Sequence, residues 1–557
     1  MSVNPIWFLK VKDLKVAELV ITCLENEEVK FVFGIPGEEN LELMDAMHDS
    51  SIRFVTTRHE CAGAFMADVY GRLTGRAGVC MATLGPGATN LVTGIADAYL
   101  DRAPLVAITA QEPLSQIHKE SHQFIDIPDL LRPVTKWNAR TGHHSGVSEI
   151  VRKAFKIAQT EKPGPTHIEI PADIASEETS EVPLAWERTR RPSPDRRSLQ
   201  SAAELIDSAQ SPMILAGNGV IRGNASVALI RFAEEFHIPV AHTLMGKGAV
   251  PCTSPVSLLT VGIQAYDSNE AGFNDADLIV CVGYDHVEYD PKIWNPKDNK
   301  KIVHLDFTPA EISRNYTTAV EIVADIRESL ELLLGMCRKS ANPARTGELR
   351  AALMARLDSW RKQSEGSLKP PAILQKLRET VTQDDVLVSD VGAHKIWIGR
   401  FFETYKPKTF FVSNGLASMG IAVPGGIAIK LAHPETRVIT LSGDGGFLMS
   451  VHELETALRE KVATVNLVFR DGGFGSIRWK QLNRFARTTG TEFGNPDMLM
   501  LARAFGVRGF QVNSIGDFQS ILEEALELKE PSLVDIPVDY SDNPFLIQQM
   551  GTVLAQS

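Results

Sequence analysis

Asp444 and Asp471 each follow an apolar, strand-like run, in Leu441-Ser442-Gly443-Asp444-Gly445-Gly446 and Phe469-Arg470-Asp471-Gly472-Gly473-Phe474, with 26 residues between them. That interval holds one helix and one strand, so both carboxylates are expected at neighbouring strand ends. Magnesium takes hard oxygen ligands in an octahedron and commonly draws few from the protein, leaving the rest to phosphate and water. Asp444, Asp471 and the backbone carbonyl of Gly473 would supply three. The glycines Gly443, Gly445, Gly446 and Gly473 let the main chain approach a diphosphate closely, and a helix N-terminus after Gly446 favours its negative charge. An Asp-Gly pair alone is more often a simple turn. Two at this spacing, each after a strand, favour the metal. A third acid, Glu60, stands in the first turn of a helix after the strand Ile52 to Thr56, among small and apolar residues. A carboxyl there can hold or share a proton, or merely complement the helix dipole.

Two stretches with the same layout must position these residues. In the first, an amphipathic helix (Ala17 to Glu28), a strand (Lys30 to Phe33) and the turn Gly34-Ile35-Pro36-Gly37 precede Glu60. Leu84-Gly85-Pro86-Gly87-Ala88 then opens a helix leading to the strand Leu105 to Ile108. In the second, a helix (Ile373 to Val381), the strand Val386 to Ser389 and the turn Asp390-Val391-Gly392 precede Met419-Gly420, which opens a helix leading to the strand Arg437 to Leu441. A further α/β unit lies between, with strands at Met213 to Ala216, Ile238 to Ala241, Leu278 to Cys281 and Ile302 to Leu305. Short buried-type strands alternating with helices imply parallel sheets covered on both faces. The fold expected is therefore α/β, with three doubly wound parallel-sheet domains, the outer two related and the middle one Rossmann-like. Linkers are read in Val182 to Arg197 and in the polar, basic run Arg338 to Arg350, giving domains 1–181, 182–345 and 346–557.

The bulk composition excludes several classes. Of 557 residues, 44% are hydrophobic and 23% charged, ordinary for a soluble globular chain. A net charge of −12 argues against nucleic acid, whose phosphates call for a basic face. No apolar run reaches the ~18 residues of a membrane helix. Charges interrupt the N-terminal MSVNPIWFLKVKD before any leader core forms. The six cysteines show no metal-ligand spacing. A reduced, cytoplasmic setting is expected.

Taken together, the motifs resemble those of thiamin-diphosphate-dependent enzymes. The Gly-Asp-Gly at 443–445 with Asp471 resembles the family's diphosphate and magnesium motif, although Arg470 stands where many members have Asn. Arg58-His59-Glu60 followed by Met66-Ala67-Asp68 is close to the signature of the glutamate that activates thiamin through its pyrimidine ring. Asn414 to Gly420 resembles the segment that bends the cofactor, with Met419 as the apolar wedge and the Gly415 carbonyl on the aminopyrimidine. The resemblance further implies cofactor contacts at Gly34, Pro36, Gly37, Gly392, His394 and Phe474. It makes residues 1–181 the pyrimidine-binding domain and 346–557 the diphosphate-binding domain.

Within the family the chain is most similar to catabolic, flavin-independent acetolactate synthases, through Phe33 to Gly37, His122-Gln123, Gly283 to Lys292 and Val538 to Asn543. These enzymes decarboxylate pyruvate on thiamin and add the resulting carbanion to a second pyruvate. His122-Gln123 occupies the place of the paired histidines of pyruvate decarboxylases, and so implies ligation with His122 and Gln123 as catalytic residues. His143-His144 falls past that position, in a polar loop. Three features depart from the pattern: Glu38-Glu39 after the glycine turn, where a cation is expected; Lys119-Glu120-Ser121 before His122; and Ser476 in place of Met. An anion near the mouth disfavours an anionic 2-oxo acid, whereas Arg478 and Lys480 could attract one.

The resemblance implies small 2-oxo acid and aldehyde substrates, no nucleic-acid or membrane partner, and a homodimer or homotetramer with its sites between subunits. The loop Gly217-Asn218-Gly219 suggests a dinucleotide, but the next strand ends in Val240-Ala241-His242-Thr243, without the acid that holds a ribose. Gly283-Tyr284-Asp285-His286-Val287 replaces the flavin-contacting stretch of related synthases. Thiamin diphosphate and Mg2+ are therefore expected, and FAD is not. A nicotinamide-dependent dehydrogenase is disfavoured by the missing acid. A catalytically silent paralogue is disfavoured by the presence of Glu60, Asp444 and Asp471 together.

Overall fold

The computed structural model describes residues 14–186, 190–263, 267 and 271–543. The N-terminal stretch read for a leader, and residues 187–189 of the first linker, lie outside them. The chain divides into two compact units, residues 1–189 and 190–557.

The first unit carries β1 (Leu14–Lys15), β2 (Phe31–Gly34), β3 (Arg53–Thr56), β4 (Gly78–Ala82), β5 (Leu105–Gln111), β6 (Trp137–Arg140), β7 (Pro165–Pro171) and β8 (Glu178–Thr179). Six of these form a parallel sheet in the order β3-β2-β4-β5-β7-β6, while β1 and β8 pair antiparallel beside it. Every residue of β4, β5 and β7 is buried. That is the signature of strands covered by helices on both faces, and it is why they read as continuous apolar runs.

The second unit holds two sheets. The first is built from β9 (Pro212–Ala216), β10 (Val240–His242), β11 (Ser257–Thr260), β12 (Leu278–Val282), β13 (Lys301–Asp306) and β14 (Val320–Val323). Its order, β11-β10-β9-β12-β13-β14, is that of the dinucleotide-binding fold. The second comprises β15 (Val386–Ser389), β16 (Phe410–Val412), β17 (Val438–Gly443), β18 (Thr464–Arg470), β19 (Arg508–Gln511) and β20 (Ser532–Pro537), in the order β16-β15-β17-β18-β20-β19. This repeats the permutation of the first unit's sheet strand for strand. The duplication read from the turns is thus a duplication of topology. Leu244, Cys252 and Ile263 of the middle part share a core with Leu353, Trp397 and Ile398, and the buried Lys247 Nζ donates to the Gly399 carbonyl at 3.1 Å.

Two local expectations are corrected. The run Arg338 to Arg350 is only partly a linker, because a helix spans Pro343–Gln363. Asn342 caps it, accepting from the Ala344 N–H at 3.0 Å, and Leu353 and Leu357 bury its far half. An Asn-Pro start is a helix signal that the polar composition concealed. A short helix, Asp444–Ser450, starts directly from β17, so Gly443 caps it and Asp444 and Gly445 stand in its first turn, ahead of the helix Glu453–Arg459. Among the described residues no helix is long and apolar enough to cross a membrane.

Candidate active site

In each outer sheet the strand order reverses between its first and third strands, β2 and β4 or β15 and β17, and open α/β sheets bind ligands at that reversal. In the first unit, Gly34 ends β2 against β4: a Cβ there would lie 1.8 Å from the Met81 carbonyl oxygen. Gly37 is equally confined, since its Cβ would stand 2.4 Å from the Thr83 side chain. Glu60 opens the helix Glu60–Thr74 after β3 and is 8% exposed. His59 caps that helix, its Nδ1 accepting from the Cys61 N–H at 3.1 Å. Asn90, on the helix Pro86–Leu100, donates to Glu60 Oε2 at 3.0 Å. Pro36 is exposed beside this end of the sheet. His122 and Gln123 are also exposed, and Gln123 takes φ +59°. Their loop reaches the same end, because a Cβ on Gly85 would lie 2.6 Å from the Gln123 carbonyl oxygen. Glu38 is exposed, whereas Glu39 accepts a hydrogen bond from the Thr83 hydroxyl. His144 lies in a loop and pairs with Glu177 at 2.9 Å.

In the second unit, β17 and β18 pair with Gly443 opposite Phe469, so Asp444 and Asp471 leave the sheet side by side. Asp444 is buried. Its Oδ1 accepts from the Gly445 N–H at 2.9 Å, and its Oδ2 from the N–H groups of Asp471 and Gly472 at 3.1 and 2.7 Å and from Asn495 Nδ2 at 2.8 Å. Burial, with the Asp444 charge beside it, pushes the Asp471 carboxyl up to about 6, against the opposing Arg478 guanidinium 3.0 Å away. Among the described residues no group of three His, Cys, Asp or Glu side chains is placed to hold a metal ion. The two mutually repelling carboxylates therefore suit a cation that takes its other ligands from phosphate, water and the main chain. Arg470 grips Asp535 on β20 through two hydrogen bonds of 2.8 and 3.0 Å, within reach of the Asp444 charge.

The remaining candidates gather around this pair. A Cβ on Gly445 would lie 3.0 Å from Phe474, 3.2 Å from Phe493 and 3.4 Å from the Met419 methyl, so those three apolar groups meet over the motif. Gly473 pairs with Glu492 in an isolated antiparallel bridge, which ties together the two ends of the segment that holds the helix Gly475–Phe485. The His394 ring sits over the end of β17: Cβ atoms on Gly392 and Gly443 would lie 2.8 and 3.4 Å from its Cε1. Burial lowers its pKa to about 4 and keeps it neutral. Among the described residues its buried Nε2 has no hydrogen-bond partner. A diphosphate oxygen would satisfy that orphaned nitrogen. Gly415 lies on the turn leading to Met419, where Ala417 takes φ +57°. Asn495 and Asp390 escaped the sequence reading. Asn495 stands far along the chain from the motif it serves, with no periodic signal. Asp390 could have been found, because like Asp444 and Asp471 it directly follows a strand of the same sheet.

The middle sheet's reversal, between β9 and β12, carries the other glycine loop. A Cβ on Gly217 would lie 2.4 Å from the Gly283 carbonyl oxygen, so this glycine serves backbone packing. Both oxygens of the buried Glu288 accept from the Asn218 N–H at 3.1 Å, and the Thr243 hydroxyl donates to the same carboxylate. Burial and the neighbouring Asp285 push the Glu288 carboxyl up to about 8. A carboxyl raised in the folded state binds a proton that the unfolded chain has released. Its contribution is present below the ordinary value of 4.5 and is lost as pH rises toward about 8. Denaturant unfolding across this window should show stability falling with pH, by up to ~1.4 kcal/mol per unit. Glu288→Gln should flatten that fall; an unaltered slope would place its cause elsewhere.

Three family models match the chain. Residues 14–130 match the thiamine pyrophosphate enzyme N-terminal TPP binding domain, 199–333 the central domain and 390–536 the C-terminal TPP binding domain. A probable acetolactate synthase large subunit of Methanocaldococcus jannaschii is 36% identical, over 94% of this chain and 92% of its own length. The catabolic acetolactate synthase of Raoultella terrigena is 34% identical (96% and 97%), and the acetolactate synthase of Bacillus subtilis 32% (95% and 94%). With matches to all three domains and relatives aligned almost end to end, the chain belongs to the thiamine pyrophosphate (thiamin diphosphate) enzyme family and is acetolactate synthase-like.

Proposed function

We propose that this enzyme decarboxylates a 2-oxo acid, pyruvate foremost, and joins the two-carbon unit to a second carbonyl, as an acetolactate synthase does. The observation that carries this is the convergence of Asp444, Asp471, His394 and Met419 at one end of a single sheet, in a chain whose relatives are acetolactate synthases. Bound thiamin diphosphate supplies a carbon nucleophile and an electron sink. Asp444, Asp471 and the Gly473 carbonyl hold Mg2+, and Gly392, His394, Gly443, Gly445 and Gly446 line the diphosphate. Met419, Gly415 and Phe474 set the bend and the apolar floor. Glu60, with Gly34, Pro36 and Gly37, takes the pyrimidine end and exchanges a proton with its ring. His122 and Gln123 face the substrate carbonyl. The pyrimidine, middle and diphosphate domains span 1–181, 182–345 and 346–557. The Glu288 carboxyl at the Asn218 N–H supports the absence of FAD, because the N–H of the glycine loop already has an acceptor from the chain itself. A cytoplasmic setting, with no nucleic-acid or membrane partner, fits the composition.

Glu38, exposed beside the glycine turn, favours a second reading in which the donor or acceptor differs from pyruvate. Supplying 2-oxo acids and aldehydes singly and in pairs, with mass spectrometry of the products, decides between the two. Acetolactate from pyruvate alone is expected. Release of a simple aldehyde with no ligated product would overturn the carboligase.

We further propose a homodimer or homotetramer, each site drawing Glu60 from one subunit and Asp444, Asp471 and Met419 from its partner. The matching permutation of the outer sheets supports it, since like domains can pair about a twofold axis. Mixing Glu60→Gln chains with Asp444→Ala chains should recover part of the activity, because some hybrid dimers contain one intact site. Folded hybrids without activity would mean that each site is built within one chain.

A further inference from the structure

Asp390 follows β15 and is fully buried. Its Oδ1 accepts from its neighbour Val391 N–H at 2.7 Å and from the Gly420 N–H at 3.0 Å. Its Oδ2 accepts from Gly420 at 3.0 Å, from the Ala422 N–H at 3.3 Å and from the Ser442 hydroxyl at 3.5 Å. Its own N–H donates to the Leu441 carbonyl at 2.9 Å. Behind it, a Cβ on Gly446 would lie 2.8 Å from Oδ1, so the helix carrying Asp444 is packed directly on this carboxylate. One side chain thus joins three segments: the exit of β15 that leads to His394, the turn that carries Met419, and the exit of β17 that carries Asp444.

The chemistry calls for a carboxylate. Three N–H groups and a hydroxyl converge, and only two equivalent acceptor oxygens meet them all; an amide offers one. The turn also needs an external tie. Ala417 at φ +57° is a left-handed state that costs a non-glycine residue energy unless the surroundings hold it, and Gly420 at φ +96° takes a conformation open to glycine. We propose that Asp390 is the positioning residue that holds Met419 in register with the diphosphate end before any cofactor binds. This rests on the reading of Met419 as the wedge that bends thiamin diphosphate.

The test compares Asp390→Asn with Met419→Ala and the parent enzyme, each saturated with thiamin diphosphate and Mg2+. Proton exchange at C2 is followed by NMR, and cofactor affinity and thermal midpoint are measured in parallel. A misplaced wedge should slow exchange about ten- to a hundredfold at saturation in both variants, with Asp390→Asn still binding cofactor. A merely structural Asp390 would lower the midpoint and affinity while leaving exchange at saturation at the parental rate. That result, with Met419→Ala slowed, overturns the proposal alone. Parental exchange in both variants removes the Met419 reading and the proposal with it. Hydrogen exchange on the unmutated, cofactor-free protein decides the matter even if Asp390→Asn does not fold. Amides 420 and 422 should be protected before cofactor is added, and free exchange that slows only on binding would overturn the proposal.

Discussion

Glu60→Gln is expected to slow proton exchange at thiamin C2 by ~10²–10⁴-fold, the usual worth of a positioned acid–base group. The substitution preserves size and burial, and Asn90 can still donate to the remaining carbonyl oxygen, as it does to Glu60 Oε2 at 3.0 Å. What it removes is the ability to exchange a proton with the pyrimidine ring. Thiamin diphosphate affinity should therefore change little while exchange collapses, a separation that a folding defect would not produce. An exchange rate like the parent's would remove Glu60 from the mechanism and return it to the ordinary task of completing a helix N-terminus.

Asp444→Ala is expected to abolish magnesium-dependent retention of thiamin diphosphate. A ligand oxygen and its negative charge would be lost from the cation, and the structure adds a second cost. The carboxylate also accepts from the main chain of Asp471 and Gly472 and from Asn495, so it holds the loop that presents Asp471. These donors are part-buried, so leaving each without its acceptor costs at most the ~1–3 kcal/mol of a fully buried group. The loop from Asp471 to Asn495 should loosen, and Asp471 with it. Calorimetric titration of the cofactor with and without Mg2+ measures this directly. An affinity that matches the parent's in both conditions would show that the metal site lies elsewhere.

The positions of both residues were legible in the sequence because each opens a helix after a strand, where local pattern carries the information. Strands buried on both faces read as short apolar runs, the glycines mark places where a Cβ would strike a neighbouring strand, and an acid directly beyond such a run is conspicuous. The paired turns likewise announced a duplicated domain, which the repeated strand order bears out. Other features arise only in three dimensions. Asn495 donates to Asp444, Asp390 binds Gly420 and Ser442, and Glu288 binds Asn218, each across 30 or more residues of sequence. A hydrogen bond between segments that distant leaves no periodicity in either. The helix Pro343–Gln363 within an expected linker, and the helix that starts at Asp444, show the same limit at shorter range. Composition and turn propensity suggested loops there. The helices were decided by a cap and a few buried leucines in one case, and by the packing of Gly446 on the buried Asp390 in the other.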